Sequence, residues 1–278
     1  MRLRRLRTFV KDWVVPPAVW RTGINVAGRW TAPAVDTAVL DRNARFNDLY
    51  RGRRCFVIGN GPSISSQDLS PLAPEITITM NWFNRHPVLD QWKPTFHCMA
   101  EPGDAACWQD PTMLPRILDR LKPHAYFFHI EAMPHIQRAA LPDGENAHYV
   151  AIGNVVSARR SIDLTKPLLP TYDTSLLATQ VAVALGCSPI YLLGVDYDWL
   201  SHRTLYRHFY DADDPAETRE NLGKTYYLRN IEVAQRQWSC HEAVREIAAR
   251  RGQRIYNATE GGFLDVYPPT TLREALGS

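Results

Sequence analysis

The 278-residue chain predicts an α/β protein, a Rossmann-like, mainly parallel sheet with helices on both faces. Three observations carry that expectation. Short apolar strand patterns alternate with helical ones from about residue 39 to the C-terminus. Several of those strand patterns end in Gly, Asn, Glu or Asp, at the carboxyl edge where open α/β sheets bind ligands. Composition is that of a globular domain, 45% apolar and 22% charged, which excludes wholesale disorder, collagen and coiled coil. A chain this long buries a sizeable core without staples. Its net charge of +3 is too small to argue for a nucleic-acid partner. The apolar runs are too short for a transmembrane helix. Cysteines Cys55, Cys98, Cys107, Cys187 and Cys240 are odd in number and lack C-x-x-C spacing. That argues against a disulfide framework or zinc and for a reducing compartment. No secretory signal pattern is present, so a cytoplasmic location is expected.

The first residues, MRLRRLRTFVKDWVVPPAVW, place Leu3, Leu6, Val10, Trp13 and Val14 at helical spacing. Arg2, Arg4, Arg5, Arg7 and Lys11 fill the other positions, and Pro16 and Pro17 end the helix. A basic amphipathic helix suits the inner membrane face, its arginines on anionic headgroups. Residues 2–14 are therefore expected to make peripheral membrane contact. Residues 1–38 form an N-terminal amphipathic and linker segment, and residues 39–278 one α/β domain.

Residues 39–50 read as a helix leading to Cys55-Phe-Val-Ile58, a short buried strand. The strand ends in Gly59-Asn60-Gly61-Pro62-Ser63. A Gly-rich turn at a strand end is how parallel folds cradle phosphate: glycine permits close backbone approach, and free N–H groups face the anion. The pattern is neither G-x-G-x-x-G nor a P-loop. Glu75 to Met80 reads as a second strand ending at Asn81-Trp82, Thr95 to Ala100 as a third ending at Glu101-Pro102, and Tyr126 to Ile130 as a fourth. Residues 173–186 read as a buried helix capped by Thr174 or Ser175 and ended by Gly186. Pro167 and Pro170, ahead of it, mark a join between two sheet halves. Pro189 to Asp196 reads as a strand with Gly194-Val195-Asp196 at its carboxyl end. Residues 198–229 are polar, aromatic and weakly patterned, and a stretch of that length reads as a lid. Ile231 to Arg251 reads as an amphipathic helix closed by Gly252, with Arg254-Ile-Tyr256 as the last strand. Asp211-Ala-Asp213-Asp214 has the look of a metal-holding D-x-D. It precedes Pro215 in a polar segment, however, and reads as a solvated acidic turn. The histidines are scattered, so no metal site is expected. His241, on the long helix, reads as a surface or packing residue.

Three segments go further together. They are Phe56-Val-Ile-Gly-Asn-Gly-Pro-Ser63, then Thr174-Ser175 through Gly186 to Ile190-Tyr-Leu-Leu-Gly-Val-Asp196, then Ile255-Tyr-Asn-Ala-Thr-Glu-Gly-Gly262. In order and spacing they resemble bacterial lipo-oligosaccharide sialyltransferases and the 6-hydroxymethylpterin diphosphokinase MptE-like family, which includes motility-associated factors that transfer nonulosonic acids. The resemblance covers roughly residues 50–276. It implies a Rossmann-like sheet with a lid, and a donor site on Asn60 with Gly61, Pro62 and Ser63 beside it. Asn81, Thr174 and Ser175 match family nucleotide contacts, and Gly194 matches a strand-end glycine, followed by Val195, Asp196 and Tyr197. Glu101 stands where the family has Asn before Pro102, and Leu176 where it has Gly. The family's catalytic His falls near residues 226–229, where this chain has none. His208, in Arg207-His-Phe-Tyr210, is the nearest lid histidine.

By this resemblance the chain is expected to be a glycosyltransferase. It would move a CMP-activated sialic-acid-like residue, nonulosonic or Kdo-type, onto a bacterial surface glycan or lipid-linked acceptor. In-line displacement needs a base for the acceptor hydroxyl, a role for His208. It also needs donors for the charge on the departing phosphate, roles for Arg207, Tyr210, Tyr206 and Lys224. No cofactor is expected to be required, a divalent metal being compatible but not essential. Homo-oligomers occur among such relatives. The resemblance equally allows an ATP- and magnesium-dependent pterin diphosphokinase, in which Glu101, Asp196, Asp211 and Asp213 would converge. It also allows a non-catalytic nucleotide-binding partner in glycan assembly.

Overall fold

Seven parallel strands in the order β5-β4-β3-β2-β1-β6-β7 make the frame of the molecule. The computed structural model describes residues 37–101, 113–139, 146–201, 208–210 and 227–277. Its strands are β1 Cys55–Ile58, β2 Ile76–Met80, β3 Phe96–Met99, β4 Ala125–His129, β5 Ala147–Val150, β6 Ile190–Leu193 and β7 Ile255–Asn257. Every pairing is parallel. Parallel strands covered on both faces need apolar residues at successive positions, and Cys-Phe-Val-Ile in β1 is buried at all four.

Side chains alternate between the two faces. Cys55 and Val57 enter one core, with α4 (Thr174–Ala184) and α5 (Tyr227–Arg250) over it; Phe56 and Ile58 enter the other. That second face is covered by 3-10 turns at 62–66, 81–85 and 87–90, by α2 (Met113–Leu121) and α3 (Met133–Arg138), and by Ala275 of α6 (Leu272–Leu276). All eleven residues of α4 are buried, and the helix packs on β1, β2, β3 and α5. A helix enclosed on every side has no polar stripe to show, which is why its sequence is apolar all round.

Four details differ from the sequence expectations. The helix expected over 39–50 is α1 (Thr37–Asp41) followed by a 3-10 turn, Arg42–Phe46. Asn43 is drawn inward there, its Nδ2 donating to Tyr149 O at 2.7 Å and Leu164 O at 3.0 Å. β5 was not expected at all. Its His148 is tolerated in the interior because Asn43 Oδ1, at 3.1 Å, and Arg45, at 2.9 Å, meet its ring. The cap of α4 is Asp173, not Thr174 or Ser175: Asp173 is extended, and its Oδ1 accepts from Leu176 N at 2.9 Å. The long helix begins at Tyr227, so the last residues of the expected lid are helical.

The segment with Pro167 and Pro170 is the crossover from sheet edge to sheet centre. Leu168 N donates to Ala151 O at 2.9 Å beside β5, and α4 then runs beneath the sheet to β6. The strand order therefore reverses at β1, with β2 on one side and β6 on the other. That reversal opens a crevice at the carboxyl ends of β1 and β6, the place where such folds take ligands. Among the described residues, no helix is long and apolar enough to cross a membrane. Cys55, Cys98, Cys187 and Cys240 are free and buried. Residues 2–14, proposed for the membrane surface, lie outside the described residues.

Burial lowers the imidazoles of His97 to about 3 and of His86, His148 and His241 to about 4. The unfolded chain takes up protons near pH 6.5 that the folded chain excludes. Stability is therefore fully present above about pH 6.5 and is lost as pH falls toward 4. For the fully enclosed His97 and His241 the slope approaches ~1.4 kcal/mol per pH unit each. Thermal melting should drop steeply between pH 6.5 and 4.5; a flat profile there overturns the assignment of neutral buried histidines.

Candidate active site

The crevice is built by two strand ends that touch backbone to backbone. Gly59 N donates to Leu193 O at 2.7 Å, and Gly61 N to Gly194 O at 2.9 Å. Only glycine allows this approach. A Cβ on Gly61 would strike the Asp196 carboxylate and lie 2.7 Å from Gly194 O, and one on Gly59 would strike Gly194. Gly194 itself adopts φ +62, the left-handed region. Asp196 then clamps the turn, its Oδ1 accepting from Ser63 N at 3.2 Å and its Oδ2 from Ser63 Oγ at 3.0 Å.

The Gly59-Asn60-Gly61-Pro62-Ser63 turn, expected as a phosphate cradle, spends most of its N–H groups within the protein. The N–H groups of Gly59, Gly61 and Ser63 are spent on the end of β6, and Pro62 has none. The glycines serve strand contact. The Asn257 to Gly262 segment has a similar framing role. Thr259 Oγ1 accepts from Val195 N at 3.1 Å, and Asp196 O accepts from Phe263 N at 2.7 Å.

Among the described residues, four of the eight buried side-chain nitrogen and oxygen atoms without a partner lie along the carboxyl edge of β1, β2 and β3. Asn60 donates through Nδ2 to Met80 O at 3.1 Å, but its Oδ1 is buried and unsatisfied. Asn81 Oδ1, His97 Nε2 and Glu101 Oε2 are also buried without partners. Asn81 sits at φ 47, a conformation that asparagine tolerates better than most residues. His97 on β3 shares a 2.9 Å bond between Nδ1 and Thr79 Oγ1, leaving Nε2 over. Burial pushes the Glu101 carboxyl up, against the pull of the Glu101 and Ala100 backbone N–H groups. Each unsatisfied buried group costs about 1–3 kcal/mol unless a ligand or water meets it.

A buried network lies next to the crevice. Asp173 accepts at Oδ1 from Ser175 Oγ (2.6 Å) and at Oδ2 from Gln237 Nε2 (2.8 Å) and from the Tyr197 hydroxyl. Tyr197 OH also meets His241 Nε2 at 2.8 Å, and His241 Nδ1 meets Tyr267 OH at 2.9 Å. With His241 neutral, one arrangement satisfies both ring nitrogens and both phenols: Tyr267 donates to Nδ1, Nε2–H donates to Tyr197, and Tyr197 donates to Asp173. Burial first, then the Asp173 charge, raises the Tyr197 phenol. Tyr197 is at φ 53, unusual for an aromatic residue; the network holds it there. The sequence placed Thr174, Ser175, Val195 and Tyr197 on the donor. Here all four are buried, and the Ser175 and Tyr197 hydroxyls are committed to this network.

The lid returns to the crevice at its middle. Phe209 N donates to Asn60 O at 3.0 Å. The Phe209 ring packs edge-on against His86 at 5.1 Å, and His208 stacks on Tyr210 at 4.9 Å. Tyr210 lies on the Arg85 guanidinium at 4.8 Å, which also covers Trp82 at 5.1 Å. His208 and Tyr210 are thus held next to Asn60, while Arg207, Tyr206, Lys224 and the Asp211 to Asp214 turn lie outside the described residues. Among the described residues no group of His, Cys, Asp and Glu could hold a metal ion. Sequence reasoning missed His97, Asp173 and the partners of His241. A histidine inside the apolar run Thr95 to Ala100 was the one visible signal.

No protein-family model and no curated protein matches the sequence. In structure the chain is similar to the sialyltransferase CstII from Campylobacter jejuni in complex with CMP-3FNeuAc. The identity is 14%, over 79% of this chain and 86% of that one, with a TM-score of 0.46. It is also similar to CST-II in complex with trisaccharide acceptor and CMP, at 13% identity over 81% and 88% of the two chains, TM-score 0.47. A third likeness is to the MAf glycosyltransferase from Magnetospirillum magneticum AMB-1, at 16% identity and TM-score 0.47; it covers 84% of this chain but 37% of that one.

Replacing Gly61 with Ala should break the Ser63–Asp196 clamp and cost at least ~2 kcal/mol by overpacking. Gly252, at φ +72 with open space around it, is the control, and its Ala variant should cost about 1 kcal/mol. Chemical denaturation measures both. Equal costs mean that the close approach of β1 and β6 does not need glycine.

Proposed function

We propose that the chain is a glycosyltransferase using a nucleotide-sugar donor, with a CMP-linked nonulosonic or Kdo-type sugar favoured and a glycan or lipid-linked acceptor. One observation carries the reading. Phe209 N–H on Asn60 O sets His208 beside a crevice where Asn60, Asn81 and Glu101 present unsatisfied oxygens. Acceptor oxygens in a row suit the donor groups of a nucleoside, an exocyclic amine and ribose hydroxyls. The sequence resemblance of the Gly59 to Ser63 turn adds the sialyltransferase-like choice.

In this mechanism the acceptor hydroxyl oxygen attacks the anomeric carbon as the bond to the phosphate oxygen breaks. The hydroxyl proton passes to His208, and the negative charge leaves with the nucleoside monophosphate. That charge falls to lid side chains: the Tyr210 hydroxyl, and Arg207, Tyr206 and Lys224 as candidates. No step calls for a metal, so turnover is expected to survive chelation. Work at the inner membrane face, through residues 2–14, fits a lipid-linked acceptor.

Calorimetric titration with CMP, CDP, UDP, GDP and ATP, with and without magnesium, tests the reading. Metal-independent preference for CMP is expected, and magnesium-dependent ATP binding would replace the proposal with a diphosphokinase. His208→Ala should keep CMP affinity within about threefold and lower turnover by 10²-fold or more, the usual scale of general-base loss. Unchanged turnover removes His208 from the base role.

A further inference from the structure

Beside the crevice lies an open groove of about 400 Å³ between the 64–70 and 85–91 segments, with Phe209 on its wall. Its size falls within the roughly 300–1,000 Å³ of small-molecule sites. Ser65, Gln67, Asp68, Ser70 and Gln91 line it with hydroxyl, amide and carboxylate groups, and His86 and Phe209 give it aromatic surface. Hydrogen-bonding side chains around rings are the chemistry that grips a sugar.

Arg85 distinguishes this groove from a generic polar cleft. Its guanidinium lies over the Trp82 and Tyr210 rings, at 5.1 and 4.8 Å. Among the described residues no hydrogen bond or ion pair occupies its N–H groups. Other half-buried arginines do have acceptors: Arg120 donates to Asp90 and to Asn84 O, and Arg54 pairs with Glu75. Ring contacts use the faces of a guanidinium and leave its edge donors, which match a carboxylate or phosphate in pairs. Asp68, also on the groove and accepting Ser70 N at 2.9 Å, suits sugar hydroxyls and disfavours an anion on its own side. The groove is therefore polarised, and a ligand has one way round.

We propose that this groove is a saccharide subsite that holds an oxyanion-bearing unit of the acceptor, with Arg85 as the residue that recognises its carboxylate or phosphate. The inference rests on the glycosyltransferase reading for the word acceptor, not for the groove's ligand. Tyr210 links the two sites, since it rests on Arg85 and stacks on His208. A sugar seated on Arg85 abuts the lid segment that Phe209 ties to Asn60, so the remainder of the acceptor extends toward the crevice.

Ligand-observed NMR titration of the full chain with digalacturonic acid, N-acetylglucosamine 6-phosphate and neutral lactose tests this. At least one acidic saccharide should bind tenfold or more tightly than lactose, and which one does so assigns carboxylate or phosphate. Arg85→Gln and Gln91→Trp, each confirmed folded by circular dichroism, should weaken that binding at least tenfold. Gln91→Trp fills the groove and retains Arg85 and the Tyr210 ring it packs on, so it separates loss of the groove from loss of the lid contact. Acidic saccharides no tighter than lactose, or undiminished in Gln91→Trp, overturn the subsite. If acidic saccharides bind as expected while CMP does not bind, the groove stands and the donor reading fails.

Discussion

Two strand ends meeting without side chains between them set the geometry of the site. β1 and β6 run parallel, and beyond β1 Gly59 N donates to Leu193 O at 2.7 Å and Gly61 N to Gly194 O at 2.9 Å. A methyl group at Gly59, Gly61 or Gly194 would collide with the opposite strand or with Ile64. From this contact follow the Ser63–Asp196 clamp, the direction of the 62–66 turn and the placement of Asn60 above Met80 O. The close approach also uses up the Gly59 and Gly61 N–H groups, of the kind that a Gly-rich turn ordinarily offers an anion.

That exchange of roles shapes the electrostatics. Among the described residues the crevice edge presents the unsatisfied oxygens of Asn60, Asn81 and Glu101, which in the proposed reaction suit the donor-bearing face of a nucleoside. In the proposed reaction the positive charge for a phosphate comes from Arg207 and Lys224. The described middle of the lid meets the Asn60 carbonyl through a backbone bond and His86 and Arg85 through its rings.

The network from Asp173 to Tyr267 is the counterweight. Tyr197 in the left-handed region carries a strain of order 1–3 kcal/mol. Buried hydrogen bonds of about 1 kcal/mol each, with a charged acceptor worth more, offset it. The same Asp173 caps α4 and receives Ser175 and Gln237, so one carboxylate ties a helix start, a strand end and the long helix together. His241 has no exposed surface and two ring bonds, and its position on an otherwise ordinary amphipathic helix concealed that role.

Local pattern was enough for six of the seven strands, for α4 and for the glycines that end helices at Gly186 and Gly252, because apolar runs and left-handed caps are properties of neighbouring residues. The strand-end residues Asn60, Asn81, Glu101 and Gly194 were legible for the same reason. β5 was not, since its His148 is made tolerable by Asn43 and Arg45, more than 100 residues away. Nor could the sequence divide the strand-end residues into those that face a ligand and those that hold the frame. Asn60 and Asp196 look alike as polar residues ending strands, yet one keeps an unsatisfied oxygen and the other is bound to Ser63. The difference lies in which partner the packed sheet brings within 3 Å, and that distance exists only once the chain has crossed from β5 under the sheet to β6.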